Sequence, residues 1–403
     1  MRLNPRVRRV AAIGVTAAIA ILMVGCRETY PNTTFEPHSE FGRTIDNLWD
    51  LMLVLGTGVF VIVEAILLYT IWRYRQREGA PPPKHVHGNT ALEITWTLIP
   101  AVILVIIAVP TVKAIFQTQA KAVPEALQVE VIGHQWWWEF RYPQYNITTA
   151  NDLYLPIGRT VNFKLTSADV IHSFWIPQMG GKRDVMANKQ NWLWFTPDSS
   201  MTTSAWNGFC AEYCGASHAN MKFRAFTVSA AEFEQWAAHQ QTPAAFGART
   251  SPADTGAPIR TAFVGYSFPR EQLPKHVVPQ TPMPSRLAFD DNLAGDAARG
   301  MQVYSQSACI GCHRITGNPS SIGVIGPDLT HFGSRSTIGA GLYPNDARHL
   351  ARWIKNAKLM KPGSLMPPLG KDEIDPATGQ KALTASLTDQ QVADIVAYLM
   401  ELK

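Results

Sequence analysis

The sequence reads as a multi-domain chain: a transmembrane α-helical hairpin, an all-β sandwich or barrel, and an all-α C-terminal domain. Three observations predict this. Apolar runs occupy residues 51–72 and 96–115, each about the twenty residues that a bilayer core requires. From Val129 onward, short segments rich in β-branched and aromatic residues alternate with period two between Pro, Gly, Asn and Asp, as half-buried antiparallel strands do. Beyond residue 286 the pattern turns helical on both sides of a Cys-Ile-Gly-Cys-His run. A length of 403 residues suits two or three domains. The net charge of +5 is modest, acids and bases balance around the cysteine motifs, and no basic stripe offers a surface to nucleic acid.

At the N-terminus a basic MRLNPRVRRV precedes an apolar stretch ending in Met-Val-Gly-Cys. That stretch is short for a bilayer span and reads as a signal peptide over residues 1–25. The Met-Val-Gly-Cys run resembles the lipobox of bacterial lipoproteins, although the usual Leu is replaced by Met23. Cleavage there would leave a lipidated Cys26 in contact with membrane lipid; an uncleaved anchor is the other reading. The hairpin is expected over residues 45–118. Its connecting loop carries Arg73, Arg75, Arg77 and Lys84, so the positive-inside rule puts the loop in the cytoplasm and everything after residue 120 outside. Glu64 interrupts the first span and reads as a neutral acid facing a partner helix. Glu93 opens the second span at its cytoplasmic end.

The β region is expected over residues 120–235, with strands in LQVEVIGHQWWWEFRYP, TVNFKLTSADVIHSFWI and NWLWFTPD. The Trp136-Trp137-Trp138 run reads first as packing, the usual use of aromatic stretches. Residues 236–286, rich in Ala, Pro, Thr and Gly, read as a semi-extended linker.

The third unit is expected over residues 287–403. Cys309 and Cys312 followed by His313 form the C-x-x-C-H signature of covalent c-type haem attachment, with His313 as proximal ligand. A thioredoxin-like pair would expect a βαβ context, and the neighbouring segments are helical instead. Met366, on a Pro- and Gly-flanked loop, is the candidate second axial ligand, and Met ligation raises the haem potential. Met360 belongs to the preceding helix and reads as packing. His331 and His349 are the other choices.

The most specific stretch is FCAEYCGASHANM, with Cys210, Cys214, His218 and Met221 at C-x-E-x-C-x3-H-x2-M spacing and His172 upstream in VIHSFWIP. Two thiolates, two imidazoles and a thioether make a soft ligand set that suits copper. A Cys210–Cys214 disulfide would leave His218 and Met221 unexplained, and zinc has no use for a Met.

These motifs resemble the dinuclear CuA centre of cytochrome c oxidase subunit II of bacterial type, with a fused C-terminal cytochrome c domain. The resemblance covers almost the whole chain and implies a cupredoxin-like barrel followed by a class I cytochrome c domain. It implies copper ligation by His172, Cys210, Cys214, His218 and Met221, completed by the backbone carbonyl of Glu212. The Glu212 carboxylate would bind magnesium at the subunit I interface. In the family the first Trp of the HQW motif receives electrons from cytochrome c, and Trp136 holds that position, although many members carry Tyr where this chain has Trp137. Glu93 matches a position proposed as the entrance of a proton path, with a plain membrane-interface carboxylate as the alternative. Arg335, in GPDLTHFGSR, matches a contact to a haem propionate, or is a surface arginine.

The implied activity is electron transfer from a donor through the haem to the copper pair and on to subunit I, where oxygen is reduced to water with proton pumping. The implied partners are subunits I and III and cytochrome c or another respiratory donor. The implied place is the bacterial inner membrane, with both redox domains on the periplasmic face. The alternative is a stand-alone membrane-anchored electron carrier.

Overall fold

The computed structural model describes residues 14, 32–79, 87–119, 122–244 and 267–403. Two units separate, residues 1–33 and 34–403, and all that follows concerns the second. Cys26 lies outside the described residues, as does the 1–25 leader apart from Gly14.

Helix α1 spans Glu40–Arg73 and α2 spans Thr90–Gln119. Both are apolar and long enough to cross a membrane. Their large side chains, such as Phe60, Leu68, Trp96 and Leu104, point outward, where hydrocarbon rather than water is the fitting solvent. At 1.5 Å per residue α1 runs to about 50 Å, roughly 20 Å more than the bilayer core. Its first turns therefore stand clear and dock on the β domain. Ser39 caps the helix by accepting from the Gly42 N–H, Glu40 accepts both the N–H and the hydroxyl of Thr196, and Phe41 is buried in the β core.

Among the described residues the β domain has ten strands. These are β1 Leu127–His134, β2 Trp137–Tyr142, β3 Ile147–Ala150, β4 Asp152–Pro156, β5 Val161–Ser167, β6 His172–Trp175, β7 Arg183–Val185, β8 Asn191–Phe195, β9 Ser204–Cys210 and β10 Lys222–Val228. They form two five-stranded sheets, ordered β3-β2-β1-β5-β8 and β4-β10-β9-β6-β7. Strands β1 and β5 alternate buried and half-buried along their length, which is the period-two signal of the sequence. The sheets are mixed rather than purely antiparallel, since β1 pairs parallel with β5 and β4 with β10. Alternation tells which side chains face inward but is blind to the direction of the neighbouring strand.

Helix α3, Ala230–Gln240, opens with a capping box of Ser229 and Glu232 and buries Phe233 and Trp236 against the sheets. The stretch read as a linker thus starts inside a packed helix. Farther along it, Phe268 and Val277 are also buried in the β core. Trp236 stacks on Tyr154 at 4.5 Å, and Phe268 stacks on Phe226 at 5.2 Å. Single large residues in a Pro-rich context carry no periodicity, so pattern reading passes over them.

The C-terminal domain has its own core, built by α4 Ala297–Gln306, α5 Cys309–Cys312, α6 Ala347–Met360 and α7 Asp389–Glu401. Helices α4 and α7 cross backbone to backbone at Gly300, where a Cβ would come within 1.9 Å of the Asp394 carbonyl oxygen. Arg299 grips Asp394 beside that crossing. Thr388 caps α7 through a box with Gln391.

Two arginines, the buried Arg224 and the more exposed Arg270, bind the C-terminal domain to the β domain. Arg224 of β10 donates to the carbonyls of Val277 and Gly341. Arg270 donates to those of Gly333, Arg335 and Asn345. Hydrogen bonds from a charged donor are the stronger kind, on the order of 1.5–3 kcal/mol each.

Candidate redox centres

The loop between β9 and β10 carries the cysteine motif, and strand pairing brings His172 to it, because Phe174 of β6 lies opposite Cys210 of β9. The two Sγ atoms stand 3.7 Å apart. This is far beyond the roughly 2.05 Å of a disulfide, and both thiols are free and buried. His172 Nδ1 lies 3.9 Å from the Cys210 sulfur, and His218 Nδ1 lies 3.7 Å from that of Cys214. Met221 Sδ sits 3.9 Å from Cys214 Sγ, and the Glu212 carbonyl oxygen lies 3.2 Å from Cys210 Sγ. All the donors named from the sequence converge on one buried spot, and a soft set of this composition fits a pair of copper ions. The Glu212 side chain itself is exposed.

Surrounding groups fix this arrangement. Asp169 holds His172 Nε2 at 2.8 Å, which leaves Nδ1 to face the sulfurs, as carboxylates do behind metal-binding imidazoles. Burial lowers the His172 pKa, but Asp169 and Cys210 outweigh it and the net direction is upward. In the thiol pair, the contact with Cys214 pulls Cys210 well below the ordinary thiol range against burial. Cys214 is driven the other way by its neighbour's charge and by burial. The pair thus gives up one proton readily and keeps the second until a cation compensates it. Gly133 on β1 makes room for the imidazole, since a Cβ there would sit 2.6 Å from His172 Cδ2.

The second centre is an apolar cavity in the C-terminal domain, walled by Cys309, Cys312, His313 and Met366. His313 Nδ1 bonds to the Pro327 carbonyl at 2.8 Å, which leaves Nε2 available for iron. Gly326 lets the backbone lie flat against this ring, as a Cβ would be 2.6 Å from Cε1. Free thiols, a pre-oriented imidazole and a thioether in one apolar cavity fit a covalently attached haem. Met360 is buried in the core. The alternative histidines are engaged elsewhere: His331 with the Thr242 carbonyl and His349 with Asp346 at the start of α6. Arg335 lines the cavity and bonds to the Asp328 carbonyl.

One segment touches both centres. The β domain contributes Gln135, Trp136, Trp137 and Asn151 to the wall of the haem cavity. On its other side, Trp136 Nε1 donates to the Cys214 carbonyl at 3.0 Å, and the Gln135 amide donates to the same oxygen at 2.8 Å. Trp137 stacks on His134 at 4.1 Å, nearly parallel.

Comparison with known proteins agrees with this pairing of sites. Residues 37–114 match the family described as "Cytochrome C oxidase subunit II, transmembrane domain", residues 146–228 match its periplasmic domain, and residues 297–403 match "Cytochrome c". Cytochrome c oxidase subunit 2 of Alkalihalophilus pseudofirmus is 30% identical over 391 residues, covering 96% of this chain and 95% of that protein. This chain belongs to the cytochrome c oxidase subunit II family. The same subunit of Bacillus sp. strain PS3 is 31% identical over 96% of this chain and 95% of its own. Quinol oxidase subunit 2 of Bacillus spizizenii is 33% identical but covers 48% of this chain and 62% of that one.

As a subunit II with a cytochrome c domain, the protein is a membrane-anchored electron-transfer part of an oxidoreductase complex. Membership implies a CuA copper centre, haem, subunit I and a cytochrome c donor. In this subunit II, Glu93 closes the start of α2: it accepts the Asn89 N–H at 3.2 Å while Asn89 caps Ala91 and Leu92. Sequence reading named the side chains that meet at the cysteine pair but missed groups that orient them. Asp169 had a legible signal, a carboxylate three residues before a candidate His. Gly133 had none, because its partner His172 is far away in sequence.

Proposed function

We infer that this subunit II takes electrons from an external respiratory donor into its own c-type haem, passes them to the copper pair and delivers them to subunit I. Oxygen is reduced to water there, with proton pumping, and no group on this chain does that chemistry. The bound metals supply one-electron carriers, and the chain supplies their ligands and the contact between them. His172, Cys210, Cys214, His218, Met221 and the Glu212 carbonyl would hold the copper. Cys309, Cys312, His313 and Met366 would hold the haem, and Arg335, which lines the same cavity, would offer its charge to a propionate. Trp136 is the link between the two, and the observation that carries this reading is its double contact, with the Cys214 carbonyl on one side and the haem cavity on the other.

Both redox domains face the periplasm of a bacterial inner membrane, with the Arg-rich end of α1 in the cytoplasm. The exposed Glu212 carboxylate would hold magnesium against subunit I. Glu93 stands at the cytoplasmic start of α2, where a proton path would open. Lipidation of Cys26 and a contact with subunit III complete the assignment.

The test is an optical and electron paramagnetic resonance spectrum of the full chain purified from membranes, with metal contents. A mixed-valence signal shared by two coppers, together with a low-spin c-type haem band, is the expected result. Haem without that copper signal would overturn the copper assignment.

A further inference from the structure

The residue that opens the Met366 loop is a lysine with no room to reach water. Lys361 follows α6, is 3% exposed and donates to the Trp136 carbonyl at 2.5 Å and the Gly339 carbonyl at 3.0 Å. Its partners are neutral peptide oxygens on two domains. Burial lowers its pKa from 10.5 to about 7, so it is a weak stabilising device, but the amine fixes position well because it donates in more than one direction.

Two further contacts act at the same seam. Ser217, inside the copper loop, donates its hydroxyl to the Pro362 carbonyl at 2.5 Å. Gly363, at φ +81°, brings its backbone so close to the indole that a Cβ would lie 2.6 Å from Trp136 Cη2 and Cζ3. The start of the loop that carries Met366 is therefore pinned twice, to the copper loop at Pro362 and to the Trp136 peptide at Lys361.

We propose that Lys361 is a positioning residue for electron transfer between the two centres, clamping Trp136 between the Met366 loop and the Cys214 carbonyl. This rests on the reading of haem and copper given above. Transfer falls steeply with distance and depends on rigid contact, so a loosened indole slows transfer without altering either centre. In that reading the external donor delivers to the haem, so the donor KM should not sense the change.

The experiment compares the intact oxidase with its Lys361→Met and Lys361→Gln variants. Haem-to-copper transfer is followed after flash photoreduction, alongside midpoint potentials, copper resonance, haem spectrum, kcat and the donor KM. Lys361→Met is expected to slow internal transfer at least tenfold and to lower kcat with it, at unchanged potentials, spectra and donor KM. Lys361→Gln keeps an N–H donor and is expected to recover part of the rate. Transfer within twofold of wild type in Lys361→Met would overturn the assignment, as would slowing accompanied by lost haem, lost copper or shifted potentials in both variants. If Lys361→Met does not assemble, Lys361→Gln decides: slower transfer at unchanged potentials supports the clamp and wild-type transfer ends it. Wild-type oxidase without any haem-to-copper transfer would sink the route itself and the clamp with it. An indifferent Lys361→Met in an enzyme that does transfer sinks the clamp alone.

Discussion

The indole N–H of Trp136 donates to the carbonyl oxygen of Cys214 at 3.0 Å, which joins the wall of the haem cavity to the backbone of the copper loop by one hydrogen bond. The same oxygen accepts from the Gln135 amide, so the loop keeps a donor when the indole loses its own. Trp136→Phe should therefore retain copper and haem with unaltered spectra. Internal electron transfer should fall by about tenfold, since the loss of roughly 1 kcal/mol of hydrogen bonding is small for stability but removes the bonded contact. Flash photoreduction of the variant oxidase checks this, and an unchanged rate would remove Trp136 from the route.

At the opposite side of the copper site, Gly133 carries a steric constraint. A methyl group there would stand 2.6 Å from His172 Cδ2, and the imidazole cannot retreat, because Asp169 holds its far nitrogen and the ring is fully buried. Gly133→Ala is expected to displace His172 and to lower copper affinity by about 10–100-fold, the usual cost of disturbing ligand orientation. The folded barrel should survive with a penalty of about 1–3 kcal/mol for overpacking. Copper titration of the variant, with circular dichroism for the fold, separates the two effects.

The reach of sequence reading follows from these cases. The hairpin, the strands around His172 and both cysteine motifs were legible because each signal is local: apolar length, period-two alternation, or ligands within a few residues. The parallel pairing of β1 with β5 and the burial of Phe268 and Val277 were not, because they depend on neighbours distant in the chain. The meeting of Lys361 with Trp136 was equally hidden. Nothing in KPGSLMP or HQWWW shows that the two segments share a seam until the fold brings together residues that are 225 positions apart.

Met366 reaches the haem cavity from a loop, whereas His313 is fixed by its bond to Pro327. Thioether ligation keeps a haem potential high. Met366→His is expected to keep the haem attached through Cys309 and Cys312 and to lower its midpoint potential, so that electrons remain on the donor side and oxidase turnover falls with the donor KM little changed. A redox titration followed in the haem band measures this. An unaltered potential would mean that another residue supplies the sixth ligand.

Asp152 makes stability at the domain seam depend on pH. It lies at the start of β4, is 5% exposed, and has one carboxylate oxygen without a hydrogen-bond partner. Burial pushes its pKa from 3.8 up to about 6, against the opposing pull of Arg335, the Ser336 N–H, Arg224 and Arg270. Between these values the native state keeps a proton that the unfolded chain has released. Native stability therefore falls as pH rises through that window, and the loss is complete above about pH 6. A raise of this size corresponds to about 3 kcal/mol. Asp152→Asn cannot titrate, so it is expected to be more stable than wild type at pH 8 by about 1–3 kcal/mol, with the advantage shrinking below pH 5. Thermal unfolding of both proteins at pH 5 and pH 8 gives the comparison, in which all other titrating groups cancel. If the difference between the two midpoints is the same at both pH values, the Asp152 carboxyl titrates alike in the folded and unfolded chain, and the arginines at the seam have fully offset its burial.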